Sequence, residues 1–356
     1  MDNKNKDLYK PFLQTRRLAP ENQESPIHFL RQWITPDQYH YRRNHFLYPY
    51  LPKEAFFLPI AGEVERPTVF RYQDLLSMPF KTSAVLLECS GNKRSYFRPR
   101  VYGEQWQDGA ISQGVWKGVP LCHLLALTGV KTTAVEVVFE GYDYGPRTDL
   151  EGVFSFTRSL PINVALHPDI LVAYKYNGSA IPFKHGYPLR LIVPQWYAMA
   201  SVKWLKTITV INHPFQGPFQ SIDYNYYPCK DSDIGKRPVT TININSTIQQ
   251  PLEYTALGTG VHQIEGIAYT GQGVITQVEL SFNGGKDWEQ ATLQQDPSQP
   301  YSWTHWTYTW HASQKGEYTI MSRAKDSTGR IQPKEAEWNR KGYGYNAVAT
   351  IKVKVE

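Results

Sequence analysis

The chain has 356 residues, enough for two domains of ordinary size, each able to bury a core. Hydrophobic residues make up 41% of it and charged residues 20%, a composition that excludes a mainly disordered protein. The formal charge of +6 implies a surface that attracts small anions, while the lack of a basic run, of zinc-finger spacing and of an aromatic RNA-binding signature argues against nucleic acid as a partner.

The 24 Tyr, 10 Trp and 25 Pro favour strands and turns over long helices. Cys89, Cys122 and Cys229 are too few for a disulfide framework and too widely spaced for a four-thiolate zinc site. That usage fits a reducing compartment, and we read the chain as cytoplasmic. No window reaches the roughly 18 apolar residues of a membrane span. The start is polar, and LAPENQESP follows Arg16-Arg17 where an export signal needs an apolar segment.

Residues 1–35 read as a polar N-terminal arm punctuated by proline. Residues 36–212 read as a mixed α+β domain. In it, TVFRYQDLLSMPF predicts a short helix around Leu75 and Leu76, and AVLLE predicts an apolar strand that ends at Cys89 and the turn residues Ser90-Gly91-Asn92. VPLCHLLALTGV predicts a helix stopped by Gly129, followed by the strand AVEVVFE. ILVAYKYNG, PLRLIVP and SVKWLKTITVI predict three more strands. Residues 213–240 are dense in Pro, Gly and aromatics without any period, and read as a linker. From 241 to 356, short alternating strands such as HQIEGIAYT, ITQVELSFNGG, YSWTHWTYTW and EYTIMSRAKDS predict an immunoglobulin-like β-sandwich, with a hairpin at FNGGKDW.

Cys89 is the first candidate for chemistry, because a thiolate beside Lys93 and Arg94 would have a lowered pKa and could bind a soft metal. On local context alone it reads as readily as a small buried hydrophobe. Its company adds to this. The segments ECSGNKR, WQDGAIS with VWKGVPLCHLL, HGYPLRLIVP, SVKWL, and the C-terminal FNGGKDW, RAKDSTGRIQP and WNRKGYGYNA occur in a fixed order. Together they resemble the sulfite oxidase family, which includes the molybdenum domain of assimilatory nitrate reductases. The resemblance runs from about residue 40 to the C-terminus.

The resemblance implies a molybdenum–molybdopterin cofactor whose metal is bound by Cys89. It implies cofactor contacts from the YRRNH run (Tyr41, Arg42, Arg43, Asn44 and His45), from Asp143, His185 and Arg190, and from a phosphate-binding loop of Ser201, Val202 and Lys203. Guanidinium and ammonium groups suit a phosphomonoester. Arg43, Trp106 and Lys341 would line the substrate pocket with Cys89. Read singly, RRN is a solvated basic loop, His185 a turn histidine and Lys203 a surface charge. The implied reaction is oxygen-atom transfer, in which the protein supplies position and charge to a small oxyanion or oxide substrate.

The chain departs from the family pattern at two pocket positions. FTRSLP places Phe156 where the family has a tyrosine, and WNRKG places Lys341, preceded by Arg340, where it has an arginine. Phe156 cannot donate a hydrogen bond, and Lys341 keeps the charge without a bidentate fork. The resemblance therefore implies oxidation of sulfite or a related sulfur oxyanion, with reduction of nitrate or of an S-oxide or N-oxide as the alternative. A cofactor-free scaffold of the same fold is a third reading. Nothing in the chain resembles a cytochrome b5-like or flavin module, so electrons are expected to pass to an external redox protein. The family also implies a homodimer joined through the sandwich.

Overall fold

The computed structural model describes residues 13–356; the first part of the expected arm lies outside the described residues. Strands dominate and the helices are short, the longest being Leu121–Thr128. Its buried residues Leu121, Leu124 and Leu125 follow helical spacing, and it ends at Gly129 as its sequence predicts.

The first domain packs two five-stranded sheets around one core. One runs in the order Ser179–Ala180, Leu171–Tyr176, Ile111–Pro120, Lys81–Glu88, with Arg190–Ile192 paired to Leu171–Tyr176. The other runs Thr68–Arg71, Phe57–Gly62, Leu205–Ile211, Glu136–Pro146, Val153–Pro161. Strand Lys81–Glu88 is covered on both faces: Leu86 faces the main core, while Val85 and Leu87 pack with Trp116, Tyr176 and Ile192. That double burial is why it reads as a continuous apolar run rather than an alternating one. The strand expected over SVKWLKTITVI begins only at Leu205, because Ser201–Trp204 form an irregular loop.

The C-terminal part is a two-sheet sandwich. Asn245–Gln250, Gly260–Tyr269, Thr304–Ala312 and Thr292–Gln294 face Ala256–Leu257, Ala349–Val355, Gly316–Asp326, Ile275–Ser281 and Glu289–Gln290. Alternate residues, among them Ile264, Val278, Leu280, Trp306 and Ile320, fill the space between. The expected hairpin turns at Gly284 and Gly285, both at positive φ (76° and 85°). The aromatic run around residue 306 is not an exposed patch: Trp303 and Trp306 are buried.

The stretch 213–240 is no free linker. Phe219, Tyr224, Tyr227 and Val239 are buried, and a single π-helical turn, Phe219–Asp223, packs on Val153–Pro161. Its aromatic residues thus extend the first domain's core. Replacing Trp306 by alanine in the sandwich should cost about 3–5 kcal/mol. Urea denaturation of the parent and Trp306→Ala proteins checks this.

Candidate active site

Cys89 follows strand Lys81–Glu88 directly, and its backbone N–H donates to Ala110 O at 2.9 Å. The chain then turns tightly, with Asn92 N–H donating to Cys89 O at 2.8 Å. Gly91 is required by close approach, since a Cβ there would lie 2.6 Å from an Arg94 guanidinium nitrogen.

The loop is held from the second domain. Tyr269 donates to Glu88 Oε1 (2.8 Å), Gly344 N–H donates to Ser90 O (2.8 Å), and Lys93 Nζ donates to Asn245 Oδ1 (2.6 Å) and Thr247 Oγ1 (2.8 Å). Arg94 Nε donates to the carbonyls of Lys341 (3.1 Å) and Gly342 (3.2 Å). Lys93 is therefore turned away from the thiol it was expected to activate. Burial pushes the Cys89 thiol up, against the pull of Arg43 and Arg94, so the expected low pKa is corrected.

Cys89 opens into a cleft. The structure brings Tyr41, Arg43, Asn44, His45, Asp143, His185, Arg190, Ser201 and Lys203 to its walls, from segments far apart in sequence. Four expected residues do not reach the cleft. Arg42 is buried against Glu21 and Gln23, away from the cleft. Val202 packs into the core. Trp106 sits behind Cys89, packed with Tyr41 and Ala110. Lys341 does not line the cleft, and its Nζ pairs with Asp223 Oδ1 at 3.6 Å.

Phe156 does line the cleft, and so do His40, Ser90, Ala198, Met199 and Tyr224, which sequence reasoning missed. His40 adjoins the YRRNH run and could have been taken with it. Tyr224 lies in the aperiodic stretch, where no spacing marks a residue.

The electrostatics favour an anion. Arg43, Arg190 and Lys203 face the cleft, with Asp143 as the carboxylate among its lining residues. Burial pushes the Asp143 carboxyl up against the pull of Lys203, and burial pushes the Lys203 ammonium down against the pull of Asp143. Lys203 Nζ donates to Arg43 O (3.1 Å) and to Asn44, clamping the 41–45 segment. Arg190 donates to Ser201 O (3.3 Å) and His185 O (3.0 Å), which leaves the rest of its guanidinium to the cleft. Asp143 Oδ1 is buried without a hydrogen-bond partner among the described residues.

These features fit a phosphorylated, metal-bearing cofactor: a soft thiol for the metal, buried cations for anionic groups and an unsatisfied carboxylate oxygen for a polar one. Among the described residues no group of three or more His, Cys, Asp or Glu side chains could hold a bare metal ion, so a metal at Cys89 would need further donors from its cofactor.

A family model described as "Oxidoreductase molybdopterin binding domain" matches residues 45–219, and one described as "Mo-co oxidoreductase dimerisation domain" matches residues 236–356. The chain is a molybdopterin-dependent oxidoreductase. It is 31% identical to the mitochondrial sulfite oxidase of Rattus norvegicus, over 99% of this chain and 67% of that protein. Sulfite oxidase of Arabidopsis thaliana is 30% identical, over 93% of this chain and 91% of that one. NADH nitrate reductase of Ulva prolifera is 31% identical, but the match spans only 41% of its length. The crystal structure of the sulfane dehydrogenase SoxCD from Paracoccus pantotrophus superposes with a TM-score of 0.81 at 28% identity, covering 96% of this chain and 88% of that one.

The chain thus belongs to the sulfite oxidase family, and the cofactor-free scaffold reading is set aside. It spans about two thirds of the length of the mammalian sulfite oxidases it matches.

His45 offers a pH test of the site. Burial, together with Arg43, Arg147, Lys203 and Arg158, holds its pKa well below the usual histidine value. A histidine depressed on folding contributes stability above its unfolded pKa, and that contribution is lost as pH falls below about 6.5. The parent should therefore lose on the order of 1 kcal/mol more than His45→Gln between pH 6.5 and 5.5. Urea midpoints of both proteins at the two pH values measure this difference.

Proposed function

We propose that the chain oxidises sulfite or a related sulfur oxyanion at a molybdenum–molybdopterin centre bound through Cys89, and passes the electrons to an external redox protein. The observation that carries this reading is the cationic cleft that opens onto a single buried thiol. Such a centre, when bound, supplies two-electron oxygen-atom transfer. The side chains contribute position and charge. Arg43 would hold the oxyanion, and Lys203 would keep Arg43 in place through its backbone carbonyl. Arg190, Lys203 and Asn44 would hold the anionic and polar groups of the cofactor, with Tyr41, Asp143, His185 and Ser201 completing its walls.

A second reading, reduction of nitrate or of an S-oxide or N-oxide at the same centre, draws on Phe156, whose wall of the cleft offers no hydroxyl. The similarity of the C-terminal domain to a dimerisation domain supports a homodimer. No helix among the described residues is long and apolar enough to cross a membrane, and the sparse cysteines support a reducing, cytoplasmic setting.

Two measurements test the proposal. Protein made in a host that synthesises the pterin should carry close to one molybdenum per chain, and Cys89→Ser should lose most of it, as elemental analysis would show. The loaded protein should reduce ferricyanide when given sulfite, and Arg43→Met should raise the KM for sulfite about 10- to 100-fold, the loss of one charge-assisted contact. Full metal with turnover of nitrate but not of sulfite would replace the first reading by the second.

A further inference from the structure

Tyr224 comes from the aromatic stretch that links the two domains, yet it is 4% exposed and lines the cleft. Its ring is fixed on three sides. Tyr343 stacks on it at 5.5 Å, His45 meets it edge-on at 5.7 Å, and the Arg158 guanidinium lies 5.3 Å from its centroid. Its hydroxyl lies 2.6 Å from His45 Nε2, and no other hydrogen bond of that hydroxyl is found among the described residues.

The Arg43 guanidinium lies against the imidazole, its Nη2 3.4 Å from His45 Nδ1 and 3.3 Å from Nε2, so it faces both ring nitrogens and fixes neither tautomer. A neutral imidazole can accept the phenol hydrogen at Nε2 or, with its own proton on Nε2, donate to Tyr224 Oη. An oxyanion held beside Arg43 is the stronger acceptor for the phenol hydrogen and favours the second arrangement, in which the phenol donates to the anion and Nε2–H to the phenol.

We propose that Tyr224 is a substrate-contacting hydrogen-bond donor, aimed by His45 at an oxyanion oxygen held beside Arg43. This rests on the reading of the cleft as an oxyanion site. The donor comes from a different element from Phe156, whose phenyl ring stacks on the same imidazole at 5.3 Å and has no hydroxyl. His45 is the positioning residue: its Nε2 holds Tyr224 Oη at 2.6 Å. An anion in the cleft would thereby meet a cation and a neutral donor side by side, a pairing that favours an acceptor with several oxygens over a halide.

The test uses molybdenum-loaded enzyme and two readouts, sulfite turnover and the Kd of inorganic sulfate as a non-reacting oxyanion. Tyr224→Phe should keep its molybdenum and its thiolate-to-metal absorption, lose about 10- to 100-fold in kcat/KM and bind sulfate about tenfold more weakly. Tyr343→Phe, which removes a neighbouring phenol outside the cleft, should stay within twofold on both readouts. His45→Gln can still donate to Tyr224, so it should retain most of the sulfate affinity that His45→Leu loses.

A Tyr224→Phe enzyme that binds sulfate like the parent overturns the proposal. So does one that loses its metal, since Tyr224 would then be structural. A parent that binds sulfate but does not oxidise sulfite would sink the substrate reading alone, and the sulfate affinities would still decide the role of Tyr224.

Discussion

The structure depends on how the turn after Cys89 is buried. Within seven residues the chain presents Glu88, Lys93 and Arg94 to a space from which water is largely excluded, and each would be costly there without a partner. Asn92, Asp108 and the carbonyl of Glu104 partner them from the first domain, and Tyr269, Asn245, Thr247 and the carbonyls of Lys341 and Gly342 do so from the C-terminal half. The thiol loop is therefore completed by both domains. Breaking one of these contacts would loosen a buried charge beside the position where a metal would have to be held to within tenths of an ångström. The sandwich, matched as a dimerisation domain, also braces the loop that carries Cys89.

From that loop outward the cleft is organised by an excess of positive charge. Arg43, Arg190 and Lys203 face it, Arg158 lies buried behind Tyr224, and Arg147 shares Asp223 with Lys341. Close-packed cations are stable in a folded protein only when carbonyls, carboxylates or a bound anion compensate them. Arg190 and Lys203 use backbone carbonyls for part of this, and Arg158 donates to Phe219 O. His45 avoids adding to the excess by staying neutral. The remaining positive field points into the cleft, which favours anionic ligands there. The unexpected position of Lys341 belongs to the same balance. Drawn to Asp223, it is paired with a carboxylate and does not line the cleft.

Much of this was legible from one chain of letters because it is local. Alternating and continuous apolar runs disclose strands through their side-chain period, Gly129 and Gly284-Gly285 mark their turns through backbone conformations closed to other residues, and ordered short motifs around Cys89, His185 and Lys203 disclose the family. Charge, thiol count and the types of residue in the site were likewise properties of the sequence alone. Tertiary structure decided which way each side chain turns, since that depends on what packs against it from far along the chain. Of two adjacent arginines, Arg43 faces the cleft and Arg42 faces Glu21. Lys93, which looks in sequence like an activator of Cys89, is claimed by Asn245 some 150 residues away. Tyr224 carries no periodic signal, because aromatic residues in an irregular stretch are placed by the two domains that close over them and not by any repeat of their own.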